Sequence, residues 1–145
     1  MTPPATYTDG EVLPEQTYTV TRDDLRRYAA ASGDPNPVHL SDEAAVAAGF
    51  PGVIAHGMYT LALAGRALQA WSGGAGAVRD LRAKFTRPVV VPDDEGTVVT
   101  VGGVVRSVEH SGRDSLVTVA LEVTCGIDKV LGAPRATFVV QEGAG

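Results

Sequence analysis

Residues 57–71, GMYTLALAGRALQAW, decide the reading of the fold. They are good helix formers, and only Thr60, Arg66 and Gln69 are clearly polar. A helix that is apolar nearly all round is normally buried. Ala62, Ala64, Gly65 and Ala67 are small, so a sheet backbone can approach this helix closely. The run Ser72-Gly73-Gly74-Ala75-Gly76 ends it in a turn. Everything that follows reads as β. Leu81, Ala83 and Phe85 alternate with Arg82, Lys84 and Thr86, the pattern of a half-buried strand. Pro92 to Gly96 is turn chemistry, and a valine-rich strand runs from about Thr97 to Val108. After the turn Ser111 to Asp114, residues Val117, Val119, Leu121, Val123 and Cys125 fall on one face. Gly126 to Lys129 signals a hairpin, and a last strand reaches about Val140. One buried helix followed by a long antiparallel meander is an α+β arrangement, a curved sheet wrapped around a helix.

Upstream of the helix the chain is more varied. Residues 1–10 are expected to be a loose arm, and Thr17 to Val20 a short strand. Thr21 is a good helix N-cap, Asp23 and Asp24 suit the positive end, and Leu25, Tyr28 and Ala29 recur at helical spacing. Gly33 is the stop signal. Ser41 caps a further short helix that begins with Asp42 and Glu43 and closes at Gly49.

Between those helices lies Asp34-Pro35-Asn36-Pro37-Val38-His39. Each proline fixes its own φ and pushes the preceding residue towards an extended conformation. A carboxylate and an imidazole are thus carried on a stiff loop, and stiffness suits a catalytic pair. Five residues of polyproline II would hold Asp34 and His39 roughly 15 Å apart. To share one water they must converge, so the chain has to curl around Val38 and His39.

Tyr28 and Ala31 to His39, followed by Ile54-Ala55-His56-Gly57-Met58, resemble the hydratase motif of MaoC-like (R)-specific enoyl-thioester hydratases. The similarity is greatest to the B-type subunits of actinobacterial (3R)-hydroxyacyl-ACP dehydratases. It covers the motif densely and the rest of the chain more loosely. Two departures stand out. Ser41 stands where the family often has Asp, and Gly65 where many relatives carry a serine in the central helix. The resemblance implies a hot-dog fold and interconversion of (3R)-3-hydroxyacyl and trans-2-enoyl thioesters on CoA or acyl carrier protein (ACP), with no metal or other cofactor. It also implies a homodimer, or a heterodimer with a related hot-dog subunit.

That reaction needs a base for water, an acid for the α-carbon and donors for an enolate oxygen. Asp34 and His39 are the residue types for the first two roles, although an Asx-turn aspartate and a polar loop histidine would look the same in isolation. Gly57 is the candidate oxyanion donor, at a helix N-terminus where N–H groups are unpaired. Asn36 and Tyr28 are candidate substrate contacts or, equally, structural residues. His56 reads as a helix-start or packing residue, His110 as solvated, and Cys125 as core. Arg79, Arg82, Lys84 and Arg87 form a basic cluster that is either a solvated strand face or a steering patch for substrate.

Composition sets the outer limits. The 145 residues are expected to form a single domain, 1–145. A net charge of −5 argues against a nucleic-acid surface. One cysteine fits a reducing cytoplasm, MTPPATYTDG carries no secretion signal, and no apolar run reaches membrane-spanning length. Two other functions remain open. A thioesterase would resemble relatives with a carboxylate on the central helix, and residues 57–71 contain none. A non-catalytic hot-dog subunit shaping a partner's acyl tunnel would need neither Asp34 nor His39.

Overall fold

The computed structural model describes residues 7–73 and 77–141. In chain order the elements are β1 (Val12–Val20), α1 (Arg22–Ser32), a 3-10 turn (Pro37–His39), α2 (Asp42–Ala47), α3 (Gly57–Ser72), β2 (Val78–Phe85), β3 (Thr97–Ser111), β4 (Asp114–Cys125), β5 (Asp128–Lys129) and β6 (Leu131–Gln141). The strands make one six-stranded antiparallel sheet in the order β1-β3-β4-β6-β2, with β5 paired to β4. The sheet curves around α3 in the hot-dog arrangement, as the resemblance implied.

α3 meets the sheet along one stripe. Thr60, Leu63, Ala64, Ala67, Leu68 and Trp71 are buried, the spacing of a single helical face. Met58, Ala62, Arg66, Gln69 and Ala70 are exposed, which corrects the expectation of a helix buried all round. A sheet covers only one flank of a helix, and among the described residues Met58, Ala62, Gln69 and Ala70 on the other are left open to solvent. Below α3, Val117, Val119, Leu121 and Val123 point inward, joined by Val99, Val101, Val105 and Phe138. Leu68 is fully buried among them, and truncating such a leucine to alanine costs about 2–5 kcal/mol. Gly103 makes room for the end of α3. A Cβ there would lie 3.2 Å from the Trp71 ring and 2.9 Å from Val119 Cγ1.

Two expectations at the N-terminal end change. Residues 1–6 of the expected loose arm lie outside the described residues, as do 74–76 of the expected turn. Tyr7 is not loose. It is buried against Phe138, its hydroxyl donates to the Trp71 carbonyl, and Gly10 N–H donates to Val105 O at 2.8 Å. β1 also begins at Val12 rather than Thr17, with a bulge between Leu13 and Gln16. Pro14 obscures the strand pattern in the sequence, yet β1 is an edge strand, where a missing N–H is tolerated. The Pro14 carbonyl accepts from Trp71 Nε1 at 2.9 Å and pins the bulge to α3.

Candidate functional site

The site is built where α1, the proline loop, α2 and the start of α3 meet. Thr21 and Asp24 form a reciprocal capping box at the head of α1. Gly33 ends that helix in the left-handed region at φ 72°, a conformation glycine adopts without steric cost. The chain then runs extended through Pro35, and the Asn36 side chain accepts from Val38 N–H at 3.2 Å, starting the 3-10 turn. That turn is the required curl. It brings an Asp34 carboxylate oxygen and one ring nitrogen from each of His39 and His56 within 4.8 Å of one another.

Segment 53–56 is fixed from several sides. Ile54 N–H donates to Val38 O at 3.1 Å, and Ala55 N–H to Val89 O at 2.9 Å. Arg22 grips Asp42 at 2.8 and 3.0 Å, while its Nε donates to Val91 O and Asp42 Oδ1 accepts from Val53 N–H at 3.0 Å. The Arg22 hydrogen bonds, then that of Val53, hold the Asp42 carboxyl below the usual carboxylate range.

His39 Nδ1 lies 2.7 Å from the Ile54 carbonyl. A carbonyl only accepts, so Nδ1 carries the proton and Nε2 of the neutral ring has a free lone pair. His56 is the reverse case. Its Nε2 lies 3.1 Å from the Asp34 carbonyl, so Nε2–H donates, and the buried Nδ1 has no partner among the described residues. The two rings stack at 3.8 Å and 25°. Burial pushes the His56 pKa down, the Asp34 carbonyl pulls the other way, and neighbouring His39 adds to the depression.

Two imidazoles and a carboxylate at this spacing also invite a metal reading. The stacking opposes it. A metal–nitrogen bond lies near the ring plane at about 2.0–2.1 Å. Two rings stacked 3.8 Å apart cannot both aim in-plane lone pairs at one ion, and one nitrogen on each ring is already committed to a carbonyl.

His39 and Gly57 both line a cavity of about 350 Å³, with Thr60, Phe85, Arg87 and Leu131 among the other walls. α1 and α2 have side-chain caps from Thr21 and Ser41, whereas His56 gives α3 none. The third N–H of α3, from Tyr59, donates instead to the His56 carbonyl at 3.0 Å, and Gly57 supplies the first N–H, one of those a helix leaves without an intrahelical acceptor. A Cβ on Gly57 would sit 3.1 Å from the Phe85 ring.

Of the residues singled out in the sequence, His39 and Gly57 line one cavity, and Asp34 comes within 4.8 Å of His39 without lining it. Asn36 is engaged in holding the loop. Tyr28 packs edge-on against His56 at 4.8 Å and Tyr59 at 5.3 Å, and does not line the cavity. His110 lies in β3 rather than a turn and faces Ser115 Oγ at 3.0 Å. Arg79, Arg82 and Lys84 are exposed on edge strand β2, where Arg82 pairs with Asp80 and stands opposite Arg135 of β6. Sequence reasoning missed the place of His56, the Arg22–Asp42 bridge and Phe85 at the cavity wall. Adjacency to Gly57 was the one available signal for His56.

Residues 5–124 match the family model described as "MaoC like domain". The chain is 40% identical over 89 residues to 3-hydroxyacyl-thioester dehydratase X of Mycobacterium tuberculosis, an alignment covering 61% of this chain and 31% of that protein. It spans about a third of the length of the curated relatives it matches first, with 28% for dehydratase Y of the same organism. A solved "MaoC-like dehydratase" superposes with a TM-score of 0.85 at 34% identity, over 98% of this chain and 43% of that one. A chain of the ChsH1-ChsH2 complex from Mycobacterium tuberculosis has the same fold, with a TM-score of 0.76 at 20% identity over 94% and 100% of the two chains. Among the described residues, no helix is long and apolar enough to cross a membrane.

Proposed function

Since this chain belongs to the MaoC-like family of (R)-hydratases and 3-hydroxyacyl dehydratases, we propose that it is itself a hydro-lyase on (3R)-3-hydroxyacyl and trans-2-enoyl thioesters. The observation that carries this reading is the approach of the Asp34 carboxylate to within 4.8 Å of a His39 ring nitrogen, on a ring whose Nδ1 is held by the Ile54 carbonyl, close to the start of α3. In the hydration direction the Asp34 carboxylate accepts a hydrogen bond from one water and orients it. His39 Nε2 removes the water's other proton as the oxygen bonds to C3. Electron density moves to the thioester oxygen, which Gly57 N–H holds as an enolate at the positive end of α3. The imidazolium then returns its proton to C2, so the elements of water are added and His39 ends neutral. Dehydration runs the same steps backwards.

The acyl part fits the largely apolar cavity, and the cation in its wall suits a phosphopantetheine-borne substrate, whether on CoA or a carrier protein. Arg87 is in the cavity wall, and Arg79, Lys84 and Arg135 have no ion pair among the described residues. All 145 residues act as one domain in this reading. Assembly follows from the sheet. β1 and β2 are unpaired edges, and Phe85 on β2 and Met58 on the open flank of α3 are each 57% exposed. Such edges are normally paired or covered. A second hot-dog chain, identical or related, is the expected cover, and light scattering on the purified chain reads it.

Chiral analysis after incubation with crotonyl-CoA tests the reaction. (3R)-3-hydroxybutyryl-CoA is the expected product. The (3S) epimer, free acid plus CoA, or no product from either the chain alone or its complex would contradict the reading.

A further inference from the structure

We propose that His56 is a positioning residue that ties Asp34 to His39, an inference that rests on the function proposed above. Its ring is 2% exposed, yet Nδ1 has no partner among the described residues. A buried acceptor left unmet is costly, and an apolar ring of similar shape would avoid that cost. The imidazole is accounted for by its other atoms. Nε2–H donates to the backbone carbonyl of Asp34 at 3.1 Å and fixes the peptide that enters rigid Pro35. The ring face backs His39 at 3.8 Å and 25°, so the His39 ring, already bonded to Ile54 O, cannot tilt towards α3.

His56 is itself held. The Tyr28 edge meets it at 4.8 Å, Tyr28 is braced by Tyr59, and its backbone is the N-cap of α3, one residue before Gly57. One side chain thus sets the relative positions of the carboxylate, the base and the oxyanion donor. Its place at the positive end of α3 also favours the neutral ring. The imidazolium that forms on His39 during turnover therefore faces a neutral partner rather than a second cation.

Two substitutions separate the contacts in the full chain. His56→Phe keeps a flat ring for stacking and removes the N–H; His56→Gln keeps a donor near the Nε2 position and removes the ring. Hydration of crotonyl-CoA is measured for both beside His39→Ala. Each His56 variant is expected to lose about tenfold or more in kcat with KM within about twofold, since small displacements of reacting groups are costly in rate. Wild-type kcat in folded His56 variants, with His39→Ala inactive, overturns this inference alone. Full turnover by His39→Ala overturns the parent reading and this one with it. Nitrogen NMR of the wild-type histidines does not depend on the variants folding. The neutral Nε2–H tautomer on His56 is expected, and the Nδ1–H tautomer would overturn the proposal.

Discussion

Arg22 and Asp42 face each other across the junction of α1 and α2, joined by two hydrogen bonds of 2.8 and 3.0 Å. The paired fork is stronger and more directional than a single contact. Because Asp42 also accepts from Val53 N–H, the bridge reaches the segment that leads into His56 and Gly57. Arg22→Ala is therefore expected to lower kcat by several-fold to about tenfold through misplacement of that segment. Steady-state kinetics beside a thermal melt check it. A kcat equal to wild type would confine the bridge to a purely structural role.

Gly57→Val is expected to damage catalysis more than stability. Its side chain would meet Phe85 first, with a Cβ only 3.1 Å from that ring. Phe85 is 57% exposed and can swing outward, so the fold survives while the cavity at the α3 N-terminus is blocked. Adding Phe85→Ala relieves the clash. The double variant should regain melting temperature but not turnover, and recovery of both would reduce Gly57 to a packing residue.

The sequence made the β-region legible because β4 alternates strictly and β3 and β6 alternate over most of their length; Val117 to Val123 is the clearest case. It hid the first half of β1, where Pro14 and a bulge interrupt the alternation. The polar loop declared its residue types but not its shape. Two prolines argued for an extended chain, and the 3-10 turn that brings His39 back depends on the Asn36 cap and on Ile54, fifteen positions beyond His39. His56 looked like packing because its partners, Asp34 O and the His39 ring, are tertiary contacts with no local periodicity.

Ala133 is the described non-glycine residue with positive φ, at 45°, in a β6 segment where pairing with β2 shifts register. That conformation costs an L-residue about 1–2 kcal/mol, and glycine gives part of this back as unfolded-state entropy. Ala133→Gly is expected to stabilise the chain by about 1 kcal/mol, read from the denaturant midpoint. Destabilisation would show that the Ala133 side chain contributes more than its strain.

Stability should fall in acid partly through His56. Burial depresses its pKa below the ordinary 6.5, and the groups facing it are Asp34 and His39 from the loop and Tyr28 from α1, which Tyr59 of α3 braces. Below pH 6.5 the unfolded chain takes up a proton that folded His56 refuses. Its contribution is thus intact above that pH and lost as pH falls towards the folded-state value. Between about pH 7 and pH 5 the wild-type melting temperature should drop more steeply than that of His56→Phe. Parallel curves would contradict the assignment of a neutral, buried His56.

In the proposed reaction Asp34 and His39 work as one catalytic pair on an enoyl thioester. The most direct test measures kcat for hydration of a trans-2-enoyl-CoA by the wild-type chain and by folded Asp34→Asn and His39→Ala, each in its native assembly. Either substitution is expected to lower kcat by about 10²-fold or more, the usual weight of a positioned acid or base. Near wild-type turnover in either variant would contradict it.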